Sequence, residues 1–190
     1  LHNSRRAERE QPSLLRSGQP GSFEESVEVP VPGTLSDEPD EIRVLHVDDN
    51  PEYTELTKTF LERQNDTMQV VTATSPVEAL DCLQDDDFDC VVSDYEMPTT
   101  DGLEFLELLR DRHPDLPFIL LTGKGGEAIA SEAISAGVTD YVQKKGGTEQ
   151  YEVLANRVTN AVEQYRTQQR FWDALSWYQR LVKQGLAGVF

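Results

Sequence analysis

Five short apolar runs alternate with five stretches of helical period between Ile42 and Tyr165: "IRVLHV", "MQVVTA", "FDCVVSD", "PFILLT" and "TDYVQK". No other feature limits the fold so strongly. The runs are apolar along most of their length instead of alternating apolar with polar, as strands covered on both faces do. Strands that alternate with helices through short links form a parallel sheet with right-handed crossovers. The expected architecture is α/β, a doubly wound five-stranded parallel sheet over residues 42–165.

The helices carry their own punctuation. "PEYTELTKTFLERQ" opens on Pro51 and places Tyr53, Leu56, Phe60 and Leu61 near helical spacing. "SPVEALDCLQ" starts with Ser75 as N-cap and Pro76 in the first turn, and Glu78 three residues on completes a capping box. "DGLEFLELLRDR" sets Leu103, Leu106 and either Leu108 or Leu109 on one face. "EAIASEAISAG" ends at Gly137, a glycine suited to follow a helix in the left-handed conformation. "TEQYEVLANRVTNAVEQY" is the fifth helix.

Two flanks surround this unit. Residues 1–41 are rich in Pro, Gly, Ser and Glu, lack periodicity and are expected to be a disordered tail. At the other end the fifth helix is expected to run on as an extended helix. Leu154, Val158, Ala161, Tyr165, Gln168, Trp172, Leu175, Gln179 and Val182 recur at alternating spacings of four and three. A heptad-like seam of this kind suits pairing with a second copy as a homodimer; the alternative is one amphipathic helix packed on its own domain. Residues 166–190 are read as a linker helix.

Charge narrows the partners. The chain nets −18, and residues 42–145 alone contribute −14, so the acid belongs to the folded unit and not to a tail. Five of the 17 basic residues are lysines. Such a surface suits a salt-adapted protein, in which high ionic strength screens self-repulsion, as in a halophilic archaeon. It argues against nucleic-acid binding by this domain, because phosphate backbones need a basic face. No stretch approaches the roughly 20 apolar residues of a membrane span, and residues 1–20 have no apolar signal region. A cytoplasmic, membrane-free protein is expected. The start at Leu1 and the end inside an apolar run suit a piece of a longer protein. Cys82 and Cys90 read as small reduced core residues.

In doubly wound folds, ligands bind outside the carboxyl ends of the strands. Asp48 and Asp49 follow the first run, Asp94 the third, Thr122 the fourth and Lys144 the fifth. Three carboxylates gathered at one rim stay ionised only if a cation joins them. Oxygen-only ligands suit a hard divalent ion such as Mg2+. A carboxylate can also act as a nucleophile and form an aspartyl phosphate. An ammonium, a hydroxyl and a metal are the donors that the phosphoryl oxygens would need.

With "VLHVDDNPE", "VVSDYEMPTTDG", "ILLTGKG" and "DYVQKK" in these places, residues 42–165 resemble the receiver domains of two-component response regulators. The resemblance implies a flavodoxin-like sheet of order 2-1-3-4-5 and a phosphoryl-accepting switch that is not itself an enzyme beyond self-catalysed transfer and autodephosphorylation. Asp94 would be the phosphoacceptor. Asp48 and Asp49 would be the acidic pair that holds Mg2+ together with Asp94 and the backbone carbonyl of Glu96. Met97 and Pro98 would shape the loop above the metal. Thr122 and Lys144 would bind the phosphoryl oxygens, and Tyr141 would be the aromatic that swings with Thr122. A histidine kinase would be the phosphodonor. The surface of the fourth helix, fifth strand and fifth helix would control an output or sensor domain. The family usually has proline after the lysine; Lys145 stands there, so a trans bond and a different loop are expected. "FWDALSWYQRLVKQGLAGVF", from Phe171, resembles the entry to a sensor domain of the PAS type. Two alternatives stay open: a contact module that works without phosphorylation, and a phosphatase with an aspartate nucleophile.

Overall fold

The computed structural model describes residues 41–123 and 127–187. Five strands and five helices follow one another: β1 (Ile42–Val47), α1 (Pro51–Gln64), β2 (Met68–Ala73), α2 (Pro76–Asp85), β3 (Cys90–Asp94), α3 (Gly102–Arg110), β4 (Phe118–Thr122), α4 (Glu127–Ala136), β5 (Asp140–Gln143) and α5 (Glu149–Ala187). All strand pairs are parallel, and the sheet order is β2-β1-β3-β4-β5. This is the expected doubly wound order, and every strand named from its apolar run is present. The tail expected over residues 1–41 lies, apart from Glu41, outside the described residues.

The continuous apolar runs are explained by two cores, one on each face of the sheet. Leu45, Val47, Val91, Phe118 and Leu120 point to one side and pack with Leu83 of α2, with Phe105, Leu106 and Leu109 of α3 and with Ala133 of α4. Their neighbours Val44, Val70, Cys90, Val92, Ile119 and Leu121 point to the other side and pack with Leu61 of α1 and with Leu154, Val158 and Val162 of α5. A strand that feeds both cores has no polar face to show. β5, at the edge, buries Val142 alone of its four residues. Cys90 is a buried core residue and Cys82 is partly buried; both are free thiols.

Two local expectations need correction, and a third is narrowed. On α1 the buried face is Thr54, Thr57 and Leu61, whereas Leu56 is exposed. A leucine on an acidic, exposed turn of helix does not define its inner face; the position around the helix does. On α2, Ser75 caps the helix by accepting from the Glu78 N–H. The Glu78 carboxylate, however, takes the Thr74 N–H and hydroxyl instead of closing a box on Ser75. The complete capping box stands on α3, where Asp101 accepts from the Leu103 and Glu104 amides and Glu104 accepts from the Asp101 N–H. On that helix Leu109 is the buried choice and Leu108 is exposed.

Gly137 ends α4 as expected. It has φ +84, its N–H donates to the Ile134 carbonyl, and the Val138 N–H donates to the Ala133 carbonyl. That pair of bonds is the Schellman arrangement, which needs the left-handed conformation that glycine adopts without strain.

Candidate functional site

The rim at the carboxyl ends of β1, β3 and β5 gathers four charged groups. Asp48 follows the last residue of β1 and is only 1% exposed. Its Oδ1 accepts the Asn50 N–H at 2.9 Å, and its Oδ2 accepts the Lys144 ammonium at 2.6 Å. Asp94 is the last residue of β3, also buried. Its Oδ1 accepts both the Tyr95 N–H at 2.9 Å and the Lys144 ammonium at 2.9 Å. Both of these bonds fall on Asp94 Oδ1. Asp49 is exposed, and Asp48, Asp49 and Asp94 each bring a carboxylate oxygen within 4.8 Å of the others.

Local folding puts these side chains in place. Asn50 caps α1, its side chain accepting from the Glu52 and Tyr53 amides, and Pro51 occupies the first turn, where its missing N–H costs nothing. The chain must turn sharply at Asp48 and Asp49 to enter that helix, which aims the pair across the top of the sheet. Lys144 sits just past β5, where its N–H continues the ladder by donating to the Thr122 carbonyl at 2.8 Å. The Lys145 N–H, which a proline would lack, donates to the side chain of Gln150 on α5 at 3.0 Å. The β5–α5 loop is thus tied to the helix through the replaced position, and Lys144 still reaches both aspartates.

Burial pushes the Asp94 carboxyl above its ordinary range; the hydrogen bond and charge of Lys144 pull it back, and the negative charge of Asp48 adds to the rise. The ammonium is what makes two buried carboxylates tolerable side by side. A third, exposed carboxylate leaves the set short of positive charge. Its donors are all hard oxygens with one solvent-facing side, and a hexacoordinate divalent ion that keeps several waters fits such a set.

The other expected residues lie along the same edge. Asp94 is in register with Leu121 on β4, so Thr122 is one residue further up the neighbouring strand, buried. Tyr141, in register with Leu120, turns outward and is exposed. Glu96 lies two residues beyond Asp94, exposed, in the β3–α3 loop, with Met97 buried beneath it. Gly125 and Gly126, a glycine pair past β4 that suits a mobile loop, lie outside the described residues.

Three contributors escaped the sequence reading. Gly102 is one: a Cβ there would sit 2.4 Å from the Asp94 carbonyl oxygen and 2.6 Å from the Leu120 side chain, so only glycine lets α3 start this close to the strand that ends in Asp94. The Asp-Gly pair before a helical run was the available signal. Thr99 is another. It holds φ +74 in the β3–α3 loop, a strained conformation for a β-branched residue, and no sequence pattern announces it. The third is Tyr53, whose ring lies 4.4 Å from the Lys144 ammonium.

Known proteins resemble this chain in sequence and fold. Residues 44–156 match the response regulator receiver domain family. The regulatory protein VanR of Enterococcus faecium is 33% identical over 102 residues, covering 54% of this chain and 43% of that protein. The protein-glutamate methylesterase/protein-glutamine glutaminase of Escherichia coli K12 is 34% identical over 131 residues, covering 64% of this chain and 37% of that protein. The chain thus spans less than half the length of these curated relatives. A receiver domain protein from Clostridium thermocellum superposes with a TM-score of 0.59 at 26% identity, over 66% of this chain and 98% of that one. With the sheet order, the acidic trio and the lysine in agreement with a match over more than half its length, the chain belongs to the response regulator receiver domain family.

Proposed function

We propose that this domain takes a phosphoryl group from the phosphohistidine of a partner histidine kinase onto Asp94 and passes the change to an output or sensor domain. The observation that carries the reading is Lys144, whose ammonium bridges Asp48 and Asp94. A carboxylate oxygen of Asp94 attacks phosphorus, the N–P bond of the donor breaks with its electrons returning to the imidazole, and an acyl phosphate forms. Lys144 turns from the carboxylates toward the phosphoryl oxygens, and Thr122 offers its hydroxyl to another. Asp48, Asp49, Asp94 and the Glu96 carbonyl would hold Mg2+, which supplies positive charge to the transferring group. Tyr141 then exchanges its exposed position for one beside Thr122, altering the α4–β5–α5 face.

The full chain, incubated with acetyl phosphate and Mg2+, should gain one phosphoryl group by intact mass. Asp94→Ala should gain none, and Asp49→Ala should lose the Mg2+ dependence while keeping its circular dichroism. A gain that persists in Asp94→Ala overturns the assignment. A wild-type chain that takes no phosphoryl group and binds no beryllofluoride is a contact module instead.

A second reading has its own observation. Past the receiver, Phe171, Trp172, Tyr178, Leu181 and Val182 are exposed on α5. We infer that this stretch pairs with a second copy and leads toward a PAS-type sensor domain. Sedimentation should show a dimer that a stop after Thr167 abolishes. The acidic surface also suits high salt, and melting temperature should then rise from low to molar KCl.

A further inference from the structure

We propose that Tyr53 is a positioning residue for phosphoryl capture, its ring face holding the Lys144 ammonium over Asp94. This rests on the phosphoacceptor reading above.

Lys144 stands on a four-carbon stem just past an edge strand, with its side chain partly exposed. A stem of that length has many rotamers, and ordering it has an entropic cost. Two carboxylates attract the ammonium, but they attract a metal ion as well. Once a cation binds Asp48 and Asp94, their hold on Lys144 weakens, just when the lysine must face the incoming group. The Tyr53 ring does not compete in this way. It offers a neutral π face 4.4 Å from Nζ, well inside the range of a favourable cation–π contact. Burial is the largest reason the phenol stays protonated, well above its ordinary range, so the ring adds no charge to an already acidic rim.

The ring itself is held. Tyr53 lies in the first turn of α1, its N–H bound to the Asn50 cap. Its ring meets that of His46 edge to face, with centroids 6.2 Å apart. His46 is wholly buried, and its Nδ1 is bound to the Val92 carbonyl at 3.1 Å. The platform under the lysine is therefore anchored in β1 and β3, the strands that carry Asp48 and Asp94. The same chain segment thus delivers the acidic pair and, one helical turn later, the surface that aims the cation.

The test uses the full chain with acetyl phosphate and Mg2+, following Asp94 phosphorylation by intact mass. Tyr53→Leu should slow phosphorylation about threefold to tenfold, and Tyr53→Phe should restore most of the rate. In a Lys144→Ala background, Tyr53→Leu should add no further loss, since the ring acts only through the lysine. Tyr53→Met, an unbranched replacement, serves if the leucine variant does not fold. The Lys144 ε-methylene protons should show an upfield ring-current displacement in NMR spectra, kept in Tyr53→Phe and lost in Tyr53→Leu. Wild-type rates in both apolar variants overturn the proposal, as does an equal loss in the Lys144→Ala background. If the chain takes no phosphoryl group at all, the phosphoacceptor reading fails, and the Lys144 displacement still decides whether Tyr53 holds the lysine.

Discussion

Helix α5 is one uninterrupted run of 39 residues, yet its two halves live in different surroundings. Leu154, Val158, Ala161 and Val162 of the inner half are buried against β1, β3 and β4. From Arg170 to Gln184 most side chains are exposed, including Trp172 at 56%. The spacing of four and three runs through both halves unchanged. A heptad pattern therefore does not tell which surface covers it: the same periodicity seats one half on its own domain and runs on through the exposed half. The inner half derives its stability from tertiary packing. The outer half has only local helical propensity within one chain, and isolated helices of that length are marginal in water.

The sharpest way to break this contrast is to make one chemical change in both halves. Leu154 is 2% exposed and Leu181 is 44% exposed. Leu154→Ala should cost about 2–5 kcal/mol in denaturant unfolding. Leu181→Ala should stay within about 0.5 kcal/mol for the monomer, while weakening any self-association. Similar losses in both would show that the outer half also packs on the receiver.

Acid should separate the halves next. His46 lies beneath the α1–α5 layer, and its Nε2 has no hydrogen-bond partner among the described residues. Its Nδ1 faces a carbonyl and so must carry the proton, which leaves Nε2 a buried lone pair. Burial lowers its pKa from 6.5 to about 4. The unfolded chain therefore binds the proton more readily, and stability present above pH 6.5 is lost as pH falls toward 4, by about 3 kcal/mol. Asp94 works in the opposite sense, because its raised carboxyl is relieved by protonation. His46→Leu should flatten the acid limb of a melting-temperature profile. The inner half of α5 should melt with the domain, and no such limb should appear in the outer half, followed by Trp172 and Trp177 fluorescence. A profile identical to wild type would mean that another group governs the acid limb.

These contrasts also mark what the sequence could and could not disclose. The five strands were readable because each feeds two cores and is apolar throughout. Asp48, Asp94 and Lys144 were readable because strand ends are fixed positions in a doubly wound sheet, and charges there have no packing reason to exist. Leu56 misled because hydrophobicity was taken for orientation, while the small polar Thr54 and Thr57 sit on the buried face. Gly102 showed only as an Asp-Gly pair, and Tyr53 not at all in its role, because each depends on an approach between elements: a helix start on a strand carbonyl, and a ring beneath a lysine 91 positions later in the chain. Periodicity reports a face, and only tertiary structure reports what meets it.

The border between the two halves yields the smallest expected effect. Arg166 tethers α5 to the sheet. Its guanidinium binds Asp89 Oδ1 at 2.9 Å and the Glu41 carbonyl, and Asp89 Oδ2 accepts the Arg43 N–H at 2.8 Å. Asp89 just precedes β3 and Glu41 just precedes β1, so one side chain ties the helix to the entry of both strands. The ions are partly solvated, with about a quarter of each side chain exposed, which places the expected loss nearer that of a surface pair than a buried one. Arg166→Ala should therefore lower stability by only about 1 kcal/mol. Its effect on exchange should be more local: amide protection should fall over the turns around residues 162–168 and stay unchanged at Leu154. If protection instead falls evenly along all of α5, the helix unfolds as one unit, and the border between a packed half and a free half does not exist.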